Sequence, residues 1–179
     1  MSCIICLACD SFAFIAGDGR AINSETGEIV DENYRNVIVG FVGRTEICEG
    51  ALNALPCDTE NLTLSEISEI LCRNAKRLHD ETNLKGSMIL AGIENGKIAV
   101  CSFSRLNGYV VERTEYTSGN LTLEGRYPDN IESNIFAECY KECGDKGLSY
   151  LIKETFRRVS ALSDTVNENI SLLSVEIPS

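Results

Sequence analysis

Two residues near the start of the chain have the types and the spacing that nucleophilic catalysis requires. Ser2 follows the initiator Met1, and Asp18 lies sixteen residues after Ser2. Removal of Met1, which normally accompanies a small second residue, would leave Ser2 with a free α-amine beside its own hydroxyl. An α-amine has a pKa of roughly 7.7–8.0, so near neutral pH it can take the hydroxyl proton. A carboxylate alongside would orient the pair.

The sequence between these two residues predicts how they meet. Residues 3–15 are apolar except for Asp10 and Ser11, which indicates two short strands joined by a tight turn. Such a hairpin would return Asp18 to the level of the chain start. A second apolar run, residues 37–42, is typical of a strand that is covered on both faces.

The rest of the chain alternates between helical and strand patterns. A capping box at Thr63 and Glu66 begins the clearest helix, which should end near Thr82. The other predicted helices cover about 45–55, 131–143 and 148–162, and the other predicted strands cover 28–31, 87–92, 97–103, 109–116 and 170–177. This order predicts one domain, residues 1–179, of the layered α+β class.

The composition of the chain predicts its cellular location and excludes some classes of partner. The chain of 179 residues has no apolar run near the length of about 20 that spans a bilayer, and it starts without a basic signal-peptide region. We therefore expect a cytoplasmic protein. Its net charge of −11 argues against nucleic acid or an anionic membrane as a partner.

Nine cysteines are many for this length, and in a cytoplasmic protein they are expected as reduced thiols. Cys3, Cys6 and Cys9 have the spacing of an iron–sulfur run. Thiols three apart on a strand point to opposite faces, however, so we interpret them as core residues. Cys139 and Cys143 are one helical turn apart, but the chain has one histidine to add to them. We predict no metal and no cofactor, with a metal site as the alternative.

Four segments carry a family resemblance. They are residues 15–21 (IAGDGRA), 37–43 (VIVGFVG), 88–97 (MILAGIENGK) and 117–120 (TSGN). In order and spacing the chain resembles proteasome β-type subunits, and especially the bacterial HslV peptidase, of the N-terminal nucleophile (Ntn) hydrolase superfamily. The resemblance extends over nearly the whole chain. It implies a four-layer αββα sandwich, a homo-oligomeric ring, a peptide substrate and an AAA+ ATPase partner.

The resemblance also implies roles for individual residues. Ser2 matches the nucleophile, Asp18 the orienting carboxylate and Gly40 the backbone N–H that stabilises the oxyanion. Ser118 matches the serine that holds the N-terminal amine, with Asp164 as its acidic partner. Most members of the family use threonine where this chain has Ser2.

The chain departs from the family pattern at the position of a lysine and, more mildly, at Asn167, where the family usually has a serine. The family has a lysine on the strand before residues 37–39, where the spacing back from Gly40 reaches Glu28. The first lysine of the chain is Lys76. An arginine cannot replace a lysine that exchanges protons, because its guanidinium stays protonated.

Three functions therefore remain open. The first is hydrolysis of peptide bonds by Ser2 after Met1 removal. The second is a catalytically degenerate subunit with a structural or assembly role. The third is an amide hydrolase for small molecules that uses Cys3 after further trimming, since thiolate chemistry depends less on the lysine.

Overall fold

The computed structural model describes residues 3–18, 33–34, 37–59, 61–126, 131–162, 166 and 169–178. The strands are β1 (Ile4–Ala8), β2 (Phe12–Asp18), β3 (Asn33–Tyr34), β4 (Val37–Gly43), β5 (Gly86–Glu94), β6 (Lys97–Ser104), β7 (Glu112–Glu115), β8 (Thr122–Arg126) and β9 (Ile170–Glu176). The helices are α1 (Thr45–Leu52), α2 (Leu64–Thr82), α3 (Ile131–Cys143) and α4 (Leu148–Leu162). The strand predicted at 28–31 lies outside the described residues.

Two antiparallel sheets form the centre of the molecule. Their strand orders are β8-β1-β2-β9 and β3-β4-β5-β6-β7. Helices α1 and α2 pack on the outer face of the second sheet, and α3 and α4 pack on the outer face of the first. A third apolar cluster fills the space between the sheets. This arrangement confirms the predicted αββα sandwich.

Strand β1 is apolar throughout because both of its faces are buried. Side chains alternate along a strand, so Ile5 and Leu7 contact the α3–α4 layer while Ile4 and Cys6 face the second sheet. All five residues of the strand are buried. Cys3 and Cys6 fall on opposite faces, so these two thiols cannot bind one metal ion.

The cysteines serve as small core residues. None of the nine forms a disulfide, and eight of them are buried, with Cys57 exposed. Burial raises the pKa of Cys48 to about 12 and that of Cys72 to about 11. Both thiols therefore stay protonated and unreactive at neutral pH.

Local sequence signals set α2 as predicted. The Thr63 hydroxyl accepts a hydrogen bond from the Glu66 N–H, and the Glu66 carboxylate accepts one from the Thr63 N–H at 2.8 Å. The helix ends at Thr82, and Asn83 caps it in the left-handed conformation with φ 58°.

Two parts of the chain between β6 and α3 differ from the sequence prediction. The strand predicted at 109–116 is shorter, because Gly108 and Tyr109 have φ values of 70° and 57° and cannot extend β7. Strand β8 was not predicted. It pairs with β1 and lies between residues 117–120 and α3.

Glu94 joins the end of β5 to the first turn of α2. Its carboxylate accepts hydrogen bonds from the N–H and the hydroxyl of Ser65, at 3.3 and 3.1 Å, and pairs with Arg113 at 2.6 Å. Burial alone would raise the pKa of Glu94, but the Ser65 and Arg113 hydrogen bonds outweigh it and lower that pKa. The charged carboxylate is therefore the form that stabilises the fold.

We expect Glu94→Gln to lower the free energy of unfolding by about 1–3 kcal/mol at pH 7, because hydrogen bonds to the charged carboxylate weaken. A depressed pKa gives stability that is present above the unfolded value of 4.5 and lost as pH falls through the folded value. The difference in melting temperature between wild type and Glu94→Gln should shrink below about pH 4. A constant difference from pH 3 to pH 7 would contradict this account.

Candidate active site

Asp18 lies at the end of β2, directly beside the start of the chain. Its Oδ1 accepts a hydrogen bond from the backbone N–H of Cys3 at 3.0 Å, and the Cys3 carbonyl accepts one from the Asp18 N–H at 3.2 Å. The carboxylate is buried, with 4% of the residue exposed. The predicted hairpin therefore returns Asp18 to the level of the chain start. The sequence suggested the carboxylate but not the Cys3 N–H that fixes it.

Ser2 itself lies outside the described residues. It is covalently attached to Cys3, and consecutive Cα atoms are about 3.8 Å apart. The Cys3 side chain is fully buried in the cluster formed with α3 and α4. That burial contradicts the hypothesis that the Cys3 thiol attacks a substrate.

Gly40 lies on β4, where this strand packs directly against the first sheet. A Cβ at Gly40 would come within 2.6 Å of Ile15 Cγ2 and 3.7 Å of Ile4 Cδ1. Ile4 is paired with Gly17, the residue before Asp18. The absence of a side chain thus lets the β4 backbone approach the same end of the hairpin that holds Asp18.

Among the described residues, one edge of β4 is unpaired next to Gly40. Strand β3 pairs only with Val37 and Ile38, while β5 pairs with all of β4. In the ranges that the structure describes, no strand occupies the β3 side of β4 beyond Ile38. An unpaired strand edge of this kind is where an extended peptide can add as a further strand.

The structure does not bring Ser118 to this site. The Ser118 carbonyl accepts a hydrogen bond from the Asp10 N–H at 3.1 Å, at the turn between β1 and β2. That turn lies at the opposite end of β1 from Cys3, roughly 20 Å away by the rise of an extended strand. Asp164, the predicted partner of Ser118, and Glu28 both lie outside the described residues.

Lys76 does not replace the lysine that the family has on the strand before residues 37–39. It projects from α2, the helix layer that covers the second sheet, and pairs with Asp80 on the exposed surface. Asp18 belongs to the first sheet, and Cys3 directly precedes strand β1 of the same sheet.

Comparison with solved structures identifies the fold. The chain matches eukaryotic HslV from Trypanosoma brucei with a TM-score of 0.61 and 13% identity, over 97% of this chain and 99% of that one. It has the proteasome-type Ntn hydrolase fold. It also matches Anbu, an ancestral beta-subunit, from Yersinia bercovieri with a TM-score of 0.66 and 11% identity, over 98% of this chain and 81% of that one. Anbu from Hyphomicrobium sp. strain MC1 matches with a TM-score of 0.62, 12% identity and coverage of 97% and 82%.

Sequence comparison alone finds no such likeness. No family model matches the chain, and no curated protein matches it significantly. The proteasome-type fold is therefore preserved at 11–13% identity with these solved structures. Across the described segments, no helix is both long enough and apolar enough to cross a membrane. The same segments contain no group of three or more metal-ligating side chains.

Proposed function

We propose that the chain is a proteasome-like Ntn hydrolase that cleaves peptide bonds with Ser2 after Met1 has been removed. The observation that carries the proposal is the buried Asp18 carboxylate bound to the Cys3 N–H, one residue from Ser2. A buried carboxylate at a chain start has a clear chemical use if the α-amine there must act as a base.

In this mechanism the Ser2 hydroxyl attacks the peptide carbonyl carbon while the α-amine takes the hydroxyl proton. The proton then passes to the leaving amine as the C–N bond breaks, which leaves an ester between Ser2 and the acyl part of the substrate. Water, deprotonated by the same amine, hydrolyses that ester. Asp18 holds the chain start and favours the protonated amine through its negative charge.

Gly40 supports the proposal from the other sheet. The open edge of β4 beyond Ile38 can pair with an extended peptide, and the Gly40 backbone N–H can stabilise the oxyanion of the tetrahedral intermediate. A peptide on this edge would lie against the end of the hairpin that carries Asp18.

The absence of a lysine from the first 75 residues favours a second function. None precedes Lys76, and Lys76 belongs to the opposite layer of the sandwich. A proteasome-like subunit that keeps the fold but not the chemistry would need no lysine near Asp18. In either case we propose assembly into a homo-oligomeric ring, and for the active form an AAA+ ATPase that delivers unfolded polypeptide.

Labelling of Ser2 separates the two functions. A fusion cut immediately before Ser2 gives protein with a defined free amine, which is treated with a β-lactone or an epoxyketone and analysed by intact mass. We expect one adduct per chain on Ser2. The matched controls are the same chain with Met1 retained, in which the amine is displaced by one residue, and Ser2→Ala. Neither control should react.

Absence of an adduct on the correctly processed chain would reject the hydrolase and leave the degenerate subunit. Equal labelling with Met1 retained would show that the α-amine of Ser2 is not the base.

A further inference from the structure

Two asparagine–glycine pairs lie in the turns at the two ends of strand β6. Asn95-Gly96 connects β5 to β6, Asn107-Gly108 lies between β6 and β7, and the sequence has no other such pair. In an asparagine–glycine pair the backbone nitrogen of the glycine can attack the side-chain amide carbon of the asparagine, because glycine has no side chain to obstruct the approach. The two pairs share this chemistry in sequence and differ in structure.

The Asn107-Gly108 pair is held by three hydrogen bonds. The Asn107 Oδ1 accepts one from the Ser104 N–H at 3.0 Å, and the Asn107 Nδ2 donates one to the Val110 carbonyl at 2.8 Å. The Gly108 N–H donates the third to the Arg105 carbonyl at 3.0 Å. Both the amide that would be attacked and the nitrogen that would attack it are therefore engaged.

The Asn95-Gly96 pair is exposed and has none of these bonds. Neither the Asn95 side chain nor the Gly96 N–H forms a hydrogen bond with any residue that the structure describes. The φ values of 54° and 72° are those of a two-residue hairpin turn. Apart from its chain neighbours, no heavy atom lies within 4 Å of a Cβ placed on Gly96. The Asn95 side chain can therefore turn onto the glycine nitrogen without breaking a hydrogen bond.

We propose that Asn95 is a site of spontaneous deamidation in the folded protein and that Asn107 is protected from it. The Gly96 nitrogen, once its proton has passed to hydroxide, bonds to the side-chain amide carbon of Asn95. The bond from that carbon to the amide nitrogen breaks, and ammonia leaves. Water then opens the cyclic imide at either of its carbonyl groups. The product is aspartate or isoaspartate at position 95, with one added negative charge.

The reaction changes the chain where β5 meets α2. Asn95 follows Glu94, whose carboxylate accepts a hydrogen bond from the Ser65 hydroxyl and pairs with Arg113. Isoaspartate lengthens the turn backbone by one carbon, whereas the length of a hairpin turn sets the register of its two strands. Deamidation therefore loosens this end of the second sheet. The inference goes beyond the proposed function and holds whether or not Ser2 is catalytic.

Incubation of the folded protein tests the site, with deamidation at each asparagine followed by peptide mass spectrometry. We expect Asn95 to react at least about tenfold faster than Asn107, because several hydrogen bonds must break before Asn107 can react. In guanidinium chloride, which unfolds both turns, the two asparagines should react at similar rates.

The matched variants are Asn95→Gln and Asn107→Gln, which keep the amide and lengthen the side chain by one carbon, so that ring closure is disfavoured. In ion-exchange chromatography the main acidic species should accumulate in wild type and in Asn107→Gln, and be absent from Asn95→Gln. Circular dichroism melts establish that both variants are folded.

A difference smaller than about tenfold between the two asparagines of the folded wild type would overturn the proposal. An Asn95 that stays intact in the folded protein while the unfolded chain reacts would overturn it as well, because the hairpin turn would then protect this residue.

Discussion

Replacement of Asp18 by asparagine is expected to reduce the rate of Ser2 labelling by about 10²–10⁴-fold, the range that positioned acid–base groups contribute. The side chain keeps its shape, and an amide oxygen can still accept the hydrogen bond from the Cys3 N–H. The negative charge beside the chain start is lost. The measurement is the rate of adduct formation on Ser2, followed by intact mass on protein with a free Ser2 amine.

The stability of the same variants separates charge from structure. Asp18→Asn should melt close to wild type, whereas Asp18→Ala should lose about 1–3 kcal/mol because a buried N–H then has one acceptor fewer. If Asp18→Asn labels at the wild-type rate, Asp18 holds the chain start without a part in the chemistry. A large loss of stability in Asp18→Asn would mean that the charge itself stabilises the fold.

Replacement of Gly43 by alanine should give the largest loss of stability. A Cβ there would be 2.4 Å from the Lys85 carbonyl oxygen and 2.8 Å from the Gly86 Cα, and the residue has φ 118°. Both contacts are with backbone, so no side-chain rotation can relieve them. We expect a loss of about 3–5 kcal/mol in the free energy of unfolding. For a chain of this size that corresponds to a melting temperature lower by roughly 10 °C.

Gly119→Ala is the matched control for Gly43→Ala. No heavy atom lies within 4 Å of a Cβ at Gly119, and its φ is not in the left-handed region. Its melting temperature should equal that of wild type to within 2 °C or so, as for most surface substitutions. A Gly43→Ala protein as stable as Gly119→Ala would show that β4 and β5 shift apart at little cost.

Local patterns in the sequence predicted most elements, because their causes are local. The capping box fixes the start of α2, and Gly144 follows α3 at the predicted end. The Asp10–Ser11 turn and the apolar runs on either side predicted the first hairpin. Strand β8 escaped prediction because its partner is β1, more than a hundred residues earlier in the sequence.

In the candidate site, too, the residue placed by local structure was predicted and the residue placed by distant strand pairing was not. The spacing of Ser2 and Asp18 predicted that the hairpin returns the carboxylate to the chain start, since β1 and β2 are neighbours in sequence. Ser118 was predicted at the amine from a short motif. Its position depends on which strand lies beside β1, and β8 leaves Ser118 at the far end, hydrogen-bonded to Asp10.

By itself, then, the sequence determined the helices and the first hairpin, which returns Asp18 to the Cys3 N–H, because these depend on contacts between near neighbours. Only the tertiary structure decided the close approach of Gly40 to Ile15, the edge of β4 that no described strand covers beyond Ile38, and the place of β9 at the edge of the first sheet. Each of these depends on which strands lie side by side and which faces meet. Such pairings join residues far apart in the chain, and no local pattern encodes them.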